Sequence, residues 1–130
     1  MAHILLAEDD DSMRQFLELA LGKAGHKVTP CSNGLEALDL VKQQGANFDM
    51  LLADIVMPGM DGIELSQKAA AIYPSLKVMF ITGFAAVAMG QRNAASAAAG
   101  QARILSKPFH LNDLVKQVEE LLISEPKTED

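Results

Sequence analysis

In Ile4-Leu5-Leu6-Ala7-Glu8-Asp9-Asp10-Asp11 an all-apolar tetrad runs straight into four consecutive acids. An apolar run that short, with no polar alternation, reads as a strand buried on both faces. Directly behind the acids, Met13, Phe16, Leu17, Ala20 and Leu21 recur at helical spacing, and Gly25 is placed to end that helix. A buried strand, a polar turn and an amphipathic helix form the first unit of an alternating α/β chain.

The same unit recurs. Lys27 to Cys31 reads as a second strand, followed by the Asn33-Gly34 turn and a helix carrying Leu35, Leu38 and Val41 up to Gly45. Met50 to Ala53 is a third strand that ends on Asp54. The loop Met57-Pro58-Gly59-Met60 leads to Asp61, a helix N-cap, and to Leu65, Ala69 and Ile72, with Pro74 closing the helix. Lys77 to Thr82 is the fourth strand and Ile104-Leu105 a short fifth. Residues 83–102 are alanine-rich and favour helix, but Gly90 and Gly100 interrupt them and no apolar stripe sets the boundaries. Leu114, Val115, Val118, Leu121 and Leu122 mark a last amphipathic helix, which His110 is placed to begin. The expectation is a doubly wound α/β fold: a five-stranded parallel sheet with helices on both faces. It forms one domain over residues 1–123, with a short acidic tail at 124–130.

Composition narrows the function. The 130 residues carry a formal net charge of −6, which argues against a nucleic-acid partner and against a cationic helix lying on a membrane. No apolar run approaches the roughly eighteen residues of a membrane span. The lone Cys31 excludes an internal disulfide and a cysteine-rich zinc site. Together with an N-terminus that lacks signal-peptide features, it points to the cytoplasm.

Polar residues stand where strands one, three, four and five end: Glu8 and Asp9, Asp54, Thr82, and Lys107. In an open parallel sheet those ends share one edge. Taken singly, each has a plainer reading: acids begin helices, and a threonine or lysine at a strand end is ordinary surface. Together they place three carboxylates in one cleft, where mutual repulsion demands cations. Lys107 supplies one charge, and a hard, oxygen-seeking ion such as Mg2+ supplies two more.

Four strings, Leu-Leu-Ala-Glu-Asp-Asp at 5–10, Asp-Ile-Val-Met-Pro-Gly-Met-Asp-Gly at 54–62, Ile-Thr-Gly at 81–83 and Lys-Pro-Phe at 107–109, resemble the receiver domain of two-component response regulators, the CheY-like family. The resemblance runs from His3 to about Ile123 and implies a flavodoxin-like sheet with the strand order 2-1-3-4-5. It implies that Asp54 is the phosphoacceptor, taking its phosphoryl group from a histidine kinase or a histidine phosphotransfer protein. It implies Mg2+ held by Glu8, Asp9, Asp54 and the backbone carbonyl of Val56, with Thr82 and Lys107 binding the phosphoryl group. Lys107-Pro108 is a candidate cis peptide. The chain departs from the family at Ile104, where many receivers carry a rotating aromatic switch residue. The stretch between Thr82 and Lys107 is also a few residues longer than usual, and residues 84–102 are expected to be ordered or repositioned by phosphorylation.

Phe80 to Ala88, with Leu51 to Leu65, looks like the CpdR type of single-domain response regulator. That likeness implies an adaptor acting on an ATP-dependent Clp protease unfoldase, with Phe84 a candidate partner anchor. Other readings compete. A phosphorelay intermediate, handing phosphate to a histidine phosphotransferase, would share the same pocket. An aspartyl-phosphate phosphatase of the haloacid-dehalogenase kind is disfavoured, because Val56 stands where its acid would be. A calcium loop is disfavoured, because Glu8 to Asp11 lacks alternating oxygen ligands and a mid-loop glycine.

Overall fold

His3–Ala7 (β1) pairs with Lys27–Cys31 (β2) on one side and Met50–Asp54 (β3) on the other. Lys77–Thr82 (β4) and Arg103–Ser106 (β5) complete a parallel sheet in the order β2-β1-β3-β4-β5. The computed structural model describes residues 2–82, 103–106 and 110–123. The helix expected within 83–102, Phe84, the Lys107-Pro108 peptide and the tail 124–130 lie outside the described residues.

Alternation along the strands builds two cores. Leu5, Ala7, Leu51, Ala53, Val78 and Phe80 face one side, where they meet Ala37, Leu38 and Val41 of Gly34–Gln44 (α2) and Leu65 and Ala69 of Gly62–Ile72 (α3). Ile4, Leu6, Met50, Leu52, Met79 and Ile81 face the other side. There they meet Leu17 and Leu21 of Asp11–Lys23 (α1) and Leu114, Val118 and Leu121 of Leu111–Ile123 (α4). Complete burial of each leucine contributes about 1.5–3 kcal/mol before conformational entropy is counted. Pro30 is tolerated in β2 because β2 is an edge strand.

The helix starts follow the sequence signals. Asp10 accepts from Met13 N at 2.7 Å, Asn33 from Glu36 N at 2.8 Å and Asp61 from Glu64 N at 2.8 Å. Gly25 adopts a φ of +102° just past α1, a conformation that glycine enters without steric cost. Leu114 N donates to the carbonyl of His110 at 3.1 Å, so His110 does begin α4.

Three apolar stripes are narrower than the spacing suggests. Phe16 in α1, Leu35 in α2 and Ile72 in α3 are 47%, 61% and 42% exposed. In α1 and α2 the buried faces turn instead through Leu17, Ala20 and Leu21, and through Ala37, Leu38 and Val41. Among the described residues, no helix is long and apolar enough to cross a membrane.

Candidate functional site

β1 and β3 are neighbours, but β1 leads into α1 on one face of the sheet and β3 into α3 on the other, so their connections diverge at the carboxyl ends. Crevices form at such a reversal. Ala7 pairs with Ala53, and the residues that follow each are Glu8 and Asp54. Carboxylate oxygens of Glu8, Asp9 and Asp54 all lie within 4.8 Å of one another. Glu8 is fully buried, Asp54 is 6% exposed and Asp9 is open to solvent.

The backbone fixes these groups. Glu8 N donates to the carbonyl of Cys31 at 3.1 Å, tying the end of β1 to β2. Glu8 Oε2 accepts the Asp10 N–H at 3.1 Å. Asp54 Oδ1 accepts the Val56 N–H at 3.0 Å, which orients the carboxylate. Ile55 N donates to Ile81 O, and Gly62 N to Ile55 O, both at 2.9 Å. These two bonds pin the loop after β3 to β4 and to the start of α3. A Cβ at Gly62 would come within 2.3 Å of the Asp54 carbonyl oxygen, so this close approach requires glycine.

Thr82 is fully buried at the end of β4. Asp54 pairs with Ile81, which puts Thr82 one residue beyond the acid's own partner. Val56 is 44% exposed at the mouth of the cleft, while Met57 and Met60 beside it are buried. Lys107 lies outside the described residues. Ile104 pairs with Phe80 and packs, partly buried, against the α2–α3 core.

The donor set is all oxygen, with two buried carboxylates and a third facing water. This is an acidic metal site of the kind that suits a hard, hydrated divalent cation, since such ions favour carboxylates and keep several waters. Buried charges this close together also gain from a cation between them. Cys31, next to the site through its backbone, has a different character. Burial first, then the Glu36 carboxylate, pushes its thiol up to about 12, with Arg14 pulling the other way. A thiol held protonated in this way has little thiolate to act as a nucleophile at neutral pH.

From sequence, Arg14 reads as a surface residue or one that shapes partner contacts; the structure gives it a different role. Its Nη1 donates to the Glu8 carbonyl at 2.9 Å and its Nη2 pairs with Asp11. The only signal was a cation one helical turn past the acids.

Comparison with known proteins agrees with this geometry. Residues 4–119 match the family model of the response regulator receiver domain. The chain is 55% identical over 124 residues to the response regulator receiver protein CpdR of Brucella abortus, covering 95% of this chain and 99% of that protein. It is 30% identical to sporulation initiation phosphotransferase F of Bacillus subtilis, covering 92% of each. Among solved structures, the response regulator TrrA of Thermotoga maritima, crystallised in complex with Mg(2+)-BeF, superposes with a TM-score of 0.79 at 27% identity. That match covers 93% of this chain and 99% of TrrA.

Proposed function

The chain belongs to the response regulator receiver family, a phosphoacceptor signalling protein closely related to CpdR, and from that premise we propose that Asp54 takes a phosphoryl group from a phosphohistidine donor with Mg2+ bound beside it. The observation that carries this reading is the trio of carboxylates at the ends of β1 and β3, within 4.8 Å of one another.

In this reading a carboxylate oxygen of Asp54 attacks phosphorus. The P–N bond to the donor imidazole breaks, and its electron pair returns to the ring nitrogen. The donor is a histidine kinase or a histidine phosphotransfer protein. A carboxylate is a modest nucleophile, so positioning and charge neutralisation must carry the step. The Val56 N–H holds the carboxylate in place. Glu8, Asp9, Asp54 and the Val56 carbonyl would hold Mg2+, which when bound neutralises charge on the phosphoryl oxygens. Thr82 donates its hydroxyl to a phosphoryl oxygen, and the Lys107 ammonium pairs with the group as a point charge. The acyl phosphate adds about −1.5 to −2 charge, by analogy with other phosphorylated side chains. Such a change biases a two-state surface.

The output is binding rather than catalysis. The 55% identity to CpdR across nearly both chains supports a CpdR-like adaptor controlling ATP-dependent Clp proteolysis in the cytoplasm. The receiver spans residues 1–123, followed by the tail at 124–130. Similarity to a sporulation phosphotransferase over 92% of each chain supports a second reading, a phosphorelay intermediate. Intact mass after incubation with Mg2+ and a small phosphodonor tests the shared chemistry. Wild type gains one phosphoryl group and Asp54→Ala gains none; equal modification of both would remove Asp54 from the role. Pull-down of the Clp unfoldase by each phosphorylation state then separates adaptor from relay.

A further inference from the structure

Arg14 reaches back from the first turn of α1 to the end of β1. Its Nη1 donates to the Glu8 carbonyl oxygen at 2.9 Å, and its Nη2 pairs with the Asp11 carboxylate. Its own N–H donates to the Asp10 carbonyl at 2.9 Å, and the side chain is only 18% exposed. The Glu8 carbonyl belongs to the peptide that joins Glu8 to Asp9. On the other side of Glu8, the preceding N–H is tied to Cys31 O at 3.1 Å. The guanidinium therefore fixes the one peptide plane that relates the buried acid to the exposed one.

We propose that Arg14 is a positioning residue for the metal site: by gripping the Glu8 carbonyl it sets the relative orientation of the Glu8 and Asp9 carboxylates, and so the affinity for Mg2+. This rests on the reading of Glu8, Asp9 and Asp54 as the ion's ligands. The planar fork matters because it spans two acceptors at once, a carbonyl on the strand and a carboxylate on the helix. A Lys ammonium keeps the charge without that fixed geometry.

Positioning and simple electrostatics predict opposite signs. A guanidinium beside a dication repels it, so removing the charge should by Coulomb's law alone tighten binding. Loss of positioning should loosen it, since groups that orient metal ligands typically govern affinity by factors of ten or more.

The test is calorimetric titration of Mg2+ into wild type, Arg14→Met and Arg14→Lys, with thermal unfolding in chelator as a check on folding. Arg14→Met is expected to bind Mg2+ about tenfold more weakly than wild type, with Arg14→Lys between the two. Binding by Arg14→Met that equals or exceeds wild type would overturn the proposal. If Arg14→Met does not fold, wild-type affinity in Arg14→Lys would overturn it instead. Wild-type protein that takes up no Mg2+ would overturn the metal reading itself, and the inference with it.

Discussion

Gly62 stands so close to Asp54 that a single added carbon would lie 2.3 Å from the Asp54 carbonyl oxygen and 3.0 Å from its carbonyl carbon. The start of α3 is thus pressed against the backbone of the acid at the centre of the site. The obstacle is main chain, which a rotamer change cannot clear.

Gly62→Ala therefore sets helix propensity against overlap. Alanine inside a helix is favoured over glycine by about 1 kcal/mol. Forcing a methyl into a packed site typically costs about 1–3 kcal/mol, and a backbone obstacle puts this case at the upper end. The expected net loss is about 1–2 kcal/mol, or roughly 4–8 °C in Tm. Thermal unfolding by circular dichroism checks it, and an unchanged or raised Tm would show that α3 can move away. Phosphoryl uptake should fall as well, because any relief displaces Asp54.

Mg2+ should stabilise the fold through the carboxylate trio. A ligand at tenfold excess over its Kd adds about 1.4 kcal/mol to the native state. For a chain of this size that raises Tm by roughly 4–6 °C. Asp54→Asn removes one of the three charges, so its Tm in chelator should stay at or above wild type as repulsion is relieved. Its Mg2+-induced rise should be small. An equal rise in both proteins would place the ion elsewhere.

Much of this was legible in the sequence, for identifiable reasons. Ile4 to Ala7 and Met50 to Ala53 carry no polar residue, so strand identity and burial follow from composition alone. Glu8, Asp9 and Asp54 come together because strand ends of a parallel sheet share an edge, and the Asp54–Ile81 pairing puts Thr82 at that edge, one residue beyond the acid's partner. Phe16 and Leu35 misled because they match the helical period but fall at the border of the buried stripe. The roles of Arg14 and Gly62 stayed hidden for another reason. Both act on backbone carbonyl oxygens, of Glu8 and Asp54, and every residue type carries one.

Cys31 gives a prediction at alkaline pH. Its thiol is raised from 9.0 to about 12, chiefly by burial. Between those values the unfolded chain loses its thiol proton while the folded protein keeps it. The unfolded state then binds fewer protons, so stability falls as pH rises. The contribution is complete below pH 9 and drains away towards pH 12. Urea unfolding of wild type should weaken across that window more steeply than that of Cys31→Ala, whatever the offset from the lost side chain. Parallel slopes would contradict the assignment. At neutral pH the native thiol should resist alkylation and react only on unfolding.

Thr82 separates hydroxyl chemistry from packing. It is fully buried at the end of β4, one residue past the partner of Asp54. Thr82→Val keeps the branched shape and deletes the hydroxyl, whereas Thr82→Ser keeps the hydroxyl and deletes a methyl. If the hydroxyl donates to the phosphoryl group, losing that bond should cost the transition state about 1.4 kcal/mol, a tenfold slower uptake. Thr82→Ser should retain most of the wild-type rate while losing about 1 kcal/mol of stability to the smaller side chain. Time-resolved intact mass with a small phosphodonor gives the rates, and thermal unfolding gives the stabilities. A Thr82→Val protein that is phosphorylated at the wild-type rate would reduce Thr82 to a packing residue and leave the phosphoryl oxygens to Mg2+ and Lys107.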